Sequence, residues 1–226
     1  MKKSALFVVV AVMFFVTNSV FAGFGGLGKT LSGATGGGSG ASSSDLSASK
    51  DSAVKSYLAT TQELIASLEK SGEAFGVKKE VLEKLAAVNS LKEGNINAGN
   101  VDKAQQASKE AVEVIEKQMA DKKELSAESQ ALLGQSMGHL AKAIVMETEL
   151  VGTVQTLSTQ AQSAVSSASP MDVAKLKGIA DVSLTLAKAL PTDLKLSKDI
   201  LGSYMSYAKS KNISVPKDAT ALLGGE

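Results

Sequence analysis

An all-α, elongated helical bundle of about five to six helices is the fold this sequence predicts, and three observations lead there. From about Asp45 onwards, apolar residues recur three, four or seven positions apart, which is one face of a helix with 3.6 residues per turn. Beyond the first 22 residues, alternating runs of β-branched and aromatic residues between turn dipeptides are nearly absent, so strand signals are too. Cap and breaker residues cut the periodic stretch into pieces of helical length.

The first helix is expected over 46–74, carried by Val54, Leu58, Leu64, Ile65, Leu68 and Phe75, with Gly72 and Gly76 marking its end. A second, over 78–93, holds Val81, Leu82, Leu85, Val88 and Leu91. The segment EGNINAGN, 93–100, is dense in Asn and Gly and reads as a loop. Asn100 is the expected N-cap of a third helix, 101–123, striped by Val112, Ile115 and Met119. Ser126 caps the longest helix, 127–168, with Leu133, Met137, Leu140, Ile144, Val151, Val154, Leu157 and Val165 along one side. Ser169, Pro170 and Asp172 form a start signal for a fifth helix, 171–189, because proline suits the first helical position and a carboxylate suits the positive end. Pro191 is expected to stop that helix and Thr192 to cap a sixth, 193–210. Pro216 opens a last short turn before the Gly224–Glu226 tail.

The N-terminal residues carry an export signal. Lys2 and Lys3 precede the apolar run Ala5–Val16, which meets Thr17, Asn18 and Ser19 well short of the roughly 20 apolar residues a membrane span needs. Val20 and Ala22 fill the positions a signal peptidase reads, so residues 1–22 form a cleavable signal peptide cut between Ala22 and Gly23. Residues 23–44 (GFGGLGKTLSGATGGGSGASSS) are mostly glycine and serine with little to bury, and read as a flexible arm. Residues 45–226 then form a single helical domain. The expected localisation is periplasmic or secreted, in a bacterial cell.

Composition narrows function by exclusion. Without Lys2 and Lys3 the chain has 22 Lys against 23 Asp plus Glu, a balance with no field to attract nucleic acid. There is no Cys, so stability in an oxidising compartment comes from the apolar core. There is no Arg, which removes the planar fork that grips phosphates and carboxylates and disfavours phosphate chemistry.

His139 is the one histidine. It sits beside the apolar stripe and reads as a boundary or surface residue. Haem held by His139 and one of Met119, Met137, Met146, Met171 or Met205 is the sharpest alternative, yet methionine at helical spacing is ordinarily core filler. Carboxylate metal sites in bundles use Glu-x-x-His, which does not occur here, and Glu147 and Glu149 lie on different faces. No catalytic residue, metal or cofactor is therefore expected.

From Leu150 to Met171 the chain has no charged residue. That marks either a central helix contacted on several sides or one that docks through Val151, Val154, Leu157 and Val165 on a protein partner, a second copy or a bilayer. The function expected is that of an exported, non-enzymatic helical binding or structural protein; the alternative is a membrane-active, bilayer-inserting or pore-forming one.

Overall fold

The structure, a computed structural model, describes residues 42–92, 94–121 and 124–223. The expected signal peptide, its Ala22–Gly23 cleavage site and all but the last three residues of the arm lie outside the described residues. The described residues form α1 (Ser43–Phe75), α2 (Lys78–Leu85), a 3₁₀ turn (Ala86–Val88), α3 (Asn89–Lys92), α4 (Ala98–Asp121), α5 (Ala127–Ser167), α6 (Val173–Ser210) and α7 (Lys217–Leu223). This is the all-α bundle the periodicity predicts, and among the described residues there is no strand.

Four long helices make the bundle. Ser67 of α1 meets Ser136 of α5, and Glu63 meets His139, so α1 and α5 run antiparallel. Tyr57 and Ser71 of α1 meet Asp193 and Tyr204 of α6, so these two run parallel. Gln105 and Glu116 of α4 reach Asp193 and Ser203, so α4 is parallel to α6 as well. α5 therefore packs along both α1 and α6, with Leu133, Met137, Leu140, Ile144, Leu150, Val154 and Leu157 all essentially inaccessible. Its place at the centre of the core is the one its uncharged stripe predicts.

Local chemistry sets the boundaries. Ser42 accepts from the Asp45 N–H and caps α1, so the helix takes over Ser43 and Ser44, which the composition assigned to the arm. Gly76 ends α1 at φ +77°, a left-handed geometry favoured for glycine, and the Val77 N–H returns to the Gly72 carbonyl. Gly72 itself is helical and buried; a Cβ there would meet Val81 Cγ2 at 3.0 Å, so any side chain would press on Val81 at the α1–α2 corner. Asn97 rather than Asn100 caps α4, its Oδ1 accepting from the Asn100 N–H, which moves the helix start back to Ala98. Ser126 caps α5 as expected, through the Ser129 N–H.

The largest departure from expectation is at Pro191. It neither stops a helix nor leaves Thr192 as a cap, for α6 runs unbroken from Val173 to Ser210. The proline ring is exposed, so only the absent N–H and the crowded carbonyl of Ala187 count against the helix there. Leu186, Leu190, Ile200 and Leu201 are buried on both sides of it. At about 25 cal/mol per Å² of apolar area removed from water, those side chains outweigh a proline penalty of about 3 kcal/mol.

Candidate functional site

The helices mesh through heptad seams that polar residues interrupt. Along α6 the positions Leu176, Ile179, Ser183, Leu186, Leu190, Asp193, Ser197, Ile200 and Tyr204 advance by alternate threes and fours, and all are buried. Along α5 the row Leu133, Met137, Leu140, Ile144, Glu147, Val151, Val154 has the same spacing and is buried except for the half-buried Val151. The row Ala53, Tyr57, Thr60, Leu64, Ser67, Ser71 in α1 matches it. Where these rows cross at mid-bundle, four helices bring together Tyr57, Gln105, Glu147, Asp193 and Ser197.

Asp193 is 8% exposed. Its Oδ2 accepts from the Tyr57 hydroxyl at 3.1 Å and its Oδ1 from Gln105 Nε2 at 2.8 Å. Burial pushes its carboxyl up to about 6, against the pull of the Gln105 and Tyr57 donors and the Lys109 charge. Glu147 is 1% exposed; its Oε1 accepts from Ser197 Oγ at 3.2 Å, and its Oε2 has no hydrogen-bond partner. Burial first, and then the charge of Asp193, push this carboxyl up to about 8. Burial and the two nearby carboxylates raise the Tyr57 hydroxyl well above its ordinary range, so it stays a donor. Both carboxyls are thus held above their ordinary range, and the pair keeps a proton to higher pH than two exposed carboxyls would.

Gln105 also lines a groove of about 590 Å³ between the start of α4 and α6, whose walls include Val101, Leu184 and Lys188. The same amide that donates to Asp193 donates a second bond, to the Ala189 carbonyl, at 3.2 Å.

Elsewhere the core carries a hydroxyl ladder: Ser67 with Ser136 at 2.8 Å, and Tyr204 donating to Ser71, which in turn donates to the Ser67 carbonyl. His139 is half-buried, as a boundary residue, with Nδ1 at 2.6 Å from Glu63 Oε2. That hydrogen bond, more than Lys142, holds the Glu63 carboxyl below its ordinary range. Of the methionines considered as partners for His139, Met137, Met146 and Met205 are buried, Met119 is half-buried and Met171 is 93% exposed at the α5–α6 corner. Among the described residues no group of three or more His, Asp or Glu could hold a metal ion.

The proposed docking residues need correction. Val154 and Leu157 are core, and Val151 and Val165 are half-buried against it, because the stripe that looked adhesive is the heptad seam itself. The uncharged surface is the opposite side of α5: Gly152, Gln155, Thr156, Thr159, Gln162, Ser163, Ser166 and Ser167. Its hydroxyls turn inward, with Thr156, Thr159 and Ser166 donating to the carbonyls of Gly152, Gln155 and Gln162 four residues back. Among the described residues no helix is long and apolar enough to cross a membrane.

Sequence reasoning separated Glu147 from Glu149 but gave neither a role. The missed signal was the register, since Glu147 and Asp193 both fall on heptad positions where leucine is usual.

The fold defines the class, an all-α helical bundle. No family model, curated protein or solved structure matches the chain.

Proposed function

We propose that this is an exported, non-enzymatic binding or structural protein of the periplasm or cell exterior that docks on a protein partner through the outer face of α5. One observation carries the reading. The exposed side of α5 between Leu150 and Met171 has no charge, and several of its hydroxyls are already bonded to their own helix. A solvated helix face ordinarily carries Lys and Glu, and charged residues are depleted at the core of protein interfaces. Hydroxyls that donate to their own backbone have little water to give up on docking, so covering this face leaves few polar groups unpaired. The core beneath is complete without it, which frees the face for a partner.

Photo-crosslinking in exporting cells tests this. A crosslinker at Gln155 or Gln162 should give discrete adducts with a protein, while one at Glu113 on α4 should not. Adducts from Glu113 alone would refute the reading. Lipid adducts from α5, with dye release from liposomes, would replace it by the membrane-active alternative.

A further inference from the structure

Two buried carboxyls on neighbouring helices feel each other's charge close to the proline of one of them. Pro191 offers no N–H to the Ala187 carbonyl, so the hydrogen-bond ladder of α6 lacks a rung two residues before Asp193. Glu147 faces α6 from α5 with one carboxylate oxygen unpartnered. Tyr57 faces the pair from α1, Lys109 from α4, and Ser197 from α6 itself. Among the described residues no cation pairs with Glu147, so a second negative charge there has only the Ser197 hydroxyl to receive it. Water can supply what is missing only if α6 moves, and the groove beside Gln105 brings solvent to the edge of the cluster.

We propose that the Glu147–Asp193 pair is a proton-operated latch: while it holds a proton, α6 stays seated on α5, and loss of that proton releases the middle of α6 around Pro191. The reaction is simple proton exchange with water, from the Glu147 carboxyl to solvent as the segment opens.

The direction follows from linkage. A carboxyl held above its ordinary value when closed ionises more readily when open, so opening grows as pH rises. Growth continues from the open-state value near 4.5 to the closed-state value of about 8, then stops. Asp193, raised to about 6, has finished contributing by then. Between pH 6 and pH 8 one proton governs the step, and the opening equilibrium rises by about tenfold per pH unit.

Native-state hydrogen exchange on the full exported chain, corrected for the intrinsic pH dependence of exchange, reads this directly. Amides 192–200 of α6 should open through a step insensitive to low urea, growing about tenfold per pH unit from 6 to 8 and levelling off above. Amides 64–75 of α1 should exchange only by urea-sensitive unfolding. Glu147→Gln should remove the pH dependence in α6, and Glu149→Gln, on the exposed side of α5, should leave it intact. A pH-independent α6, or one whose opening is as urea-sensitive as that of α1, overturns the latch. Should Glu147→Gln fail to fold, carbon-13 titration of Glu147 in the unaltered protein decides. Ionisation well above the ordinary carboxylate range supports the latch, and ionisation near 4.5 overturns it.

Discussion

From Ala127 to Leu150, α5 carries Glu128, Lys142, Glu147 and Glu149, while from Val151 to Ser167 it carries no charge, yet both stretches present the same heptad seam to α1 and α6. The core does not distinguish them, since Leu140 and Leu157 are equally inaccessible. What differs is the polar chemistry on either side of the seam. The first half turns polar groups inward, Ser136 to Ser67 and Glu147 to Ser197, and charges outward. The second half buries a single hydroxyl, Ser158, which accepts from Gln162 of the same helix, and has an uncharged outer face whose hydroxyls bond to their own backbone. A polar group in a heptad seam costs stability and fixes register. An uncharged outer face contributes nothing to the monomer's stability, and its composition suits contact. The first half therefore carries polar groups into the seam between helices, and the second carries most of its polar groups on the outer face, where the proposed partner would sit.

The common seam is tested by truncation on each side. Leu140→Ala should cost about 2 to 5 kcal/mol through lost burial and the cavity left behind, and Val154→Ala, one branch smaller, somewhat less. Urea melts with unchanged m-values give the ranking. A Val154→Ala cost near zero would mean that the second half of α5 is not held as the first is.

The inward polar groups come next in size. Glu147→Leu places an apolar residue at a position where the seam would take one, and should stabilise the protein by about 1 to 4 kcal/mol at pH 8. The sign follows from the raised carboxyl. Unfolding releases its proton between the ordinary value near 4.5 and about 8, so the parent loses stability as pH climbs through that window. The gain of Glu147→Leu should accordingly shrink towards pH 4.5, where the parent carboxyl is neutral in both states. Melts at pH 5 and pH 8 read the difference, and an equal effect at both would show that Glu147 is ionised in the fold.

Which parts of this were legible in the sequence follows from the range of the forces involved. Helix class, the Ser126 cap and the burial of α5 come from local period and capping chemistry, which act within a few residues. Pro191 misled because its effect on its own helix is local and unfavourable, whereas the burial of Leu186, Leu190, Ile200 and Leu201 that overrides it is tertiary. Asn100 misled by three residues because Asn97 offers the same side chain. The Glu147–Asp193 pair was written in the register of two helices, but that two interruptions 46 positions apart share one level depends on how α5 folds back on α6. Val154 and Leu157 were correctly placed on one stripe; the stripe alone could not say whether this chain or a partner covers it.

A smaller effect belongs to the hydrogen-bonded His139–Glu63 pair on the outer edge of the first half. His139→Gln removes the ring that holds Glu63, and partial exposure of both side chains limits the loss to about 0.2 to 1 kcal/mol. The Glu63 carboxyl, held low by that hydrogen bond, should return towards its ordinary value. Because a depressed carboxyl stabilises the fold above its unfolded value and loses that contribution as pH falls, the difference between parent and variant should narrow under acid conditions. Denaturation at pH 7 and pH 3 measures it.

The smallest effect on stability should be the most informative about function. Gln155→Lys puts a charge on the exposed face of the second half, where no buried contact is disturbed, so the melt should stay within about 0.5 kcal/mol of the parent. Glu113→Ala on the exposed side of α4 is the matched control and should be equally silent. The two variants part company in the cell. A lysine at 155 must be desolvated if α5 docks, with no acidic residue between Leu150 and Met171 on its own helix to pair with. Crosslinking from Gln162 should then fall in the Gln155→Lys background and persist in the Glu113→Ala background. A Gln155→Lys protein that is stable and still crosslinks as the parent does would show that the uncharged face is not where the partner sits. The contrast between the two halves of α5 would then be one of composition, without consequence for binding.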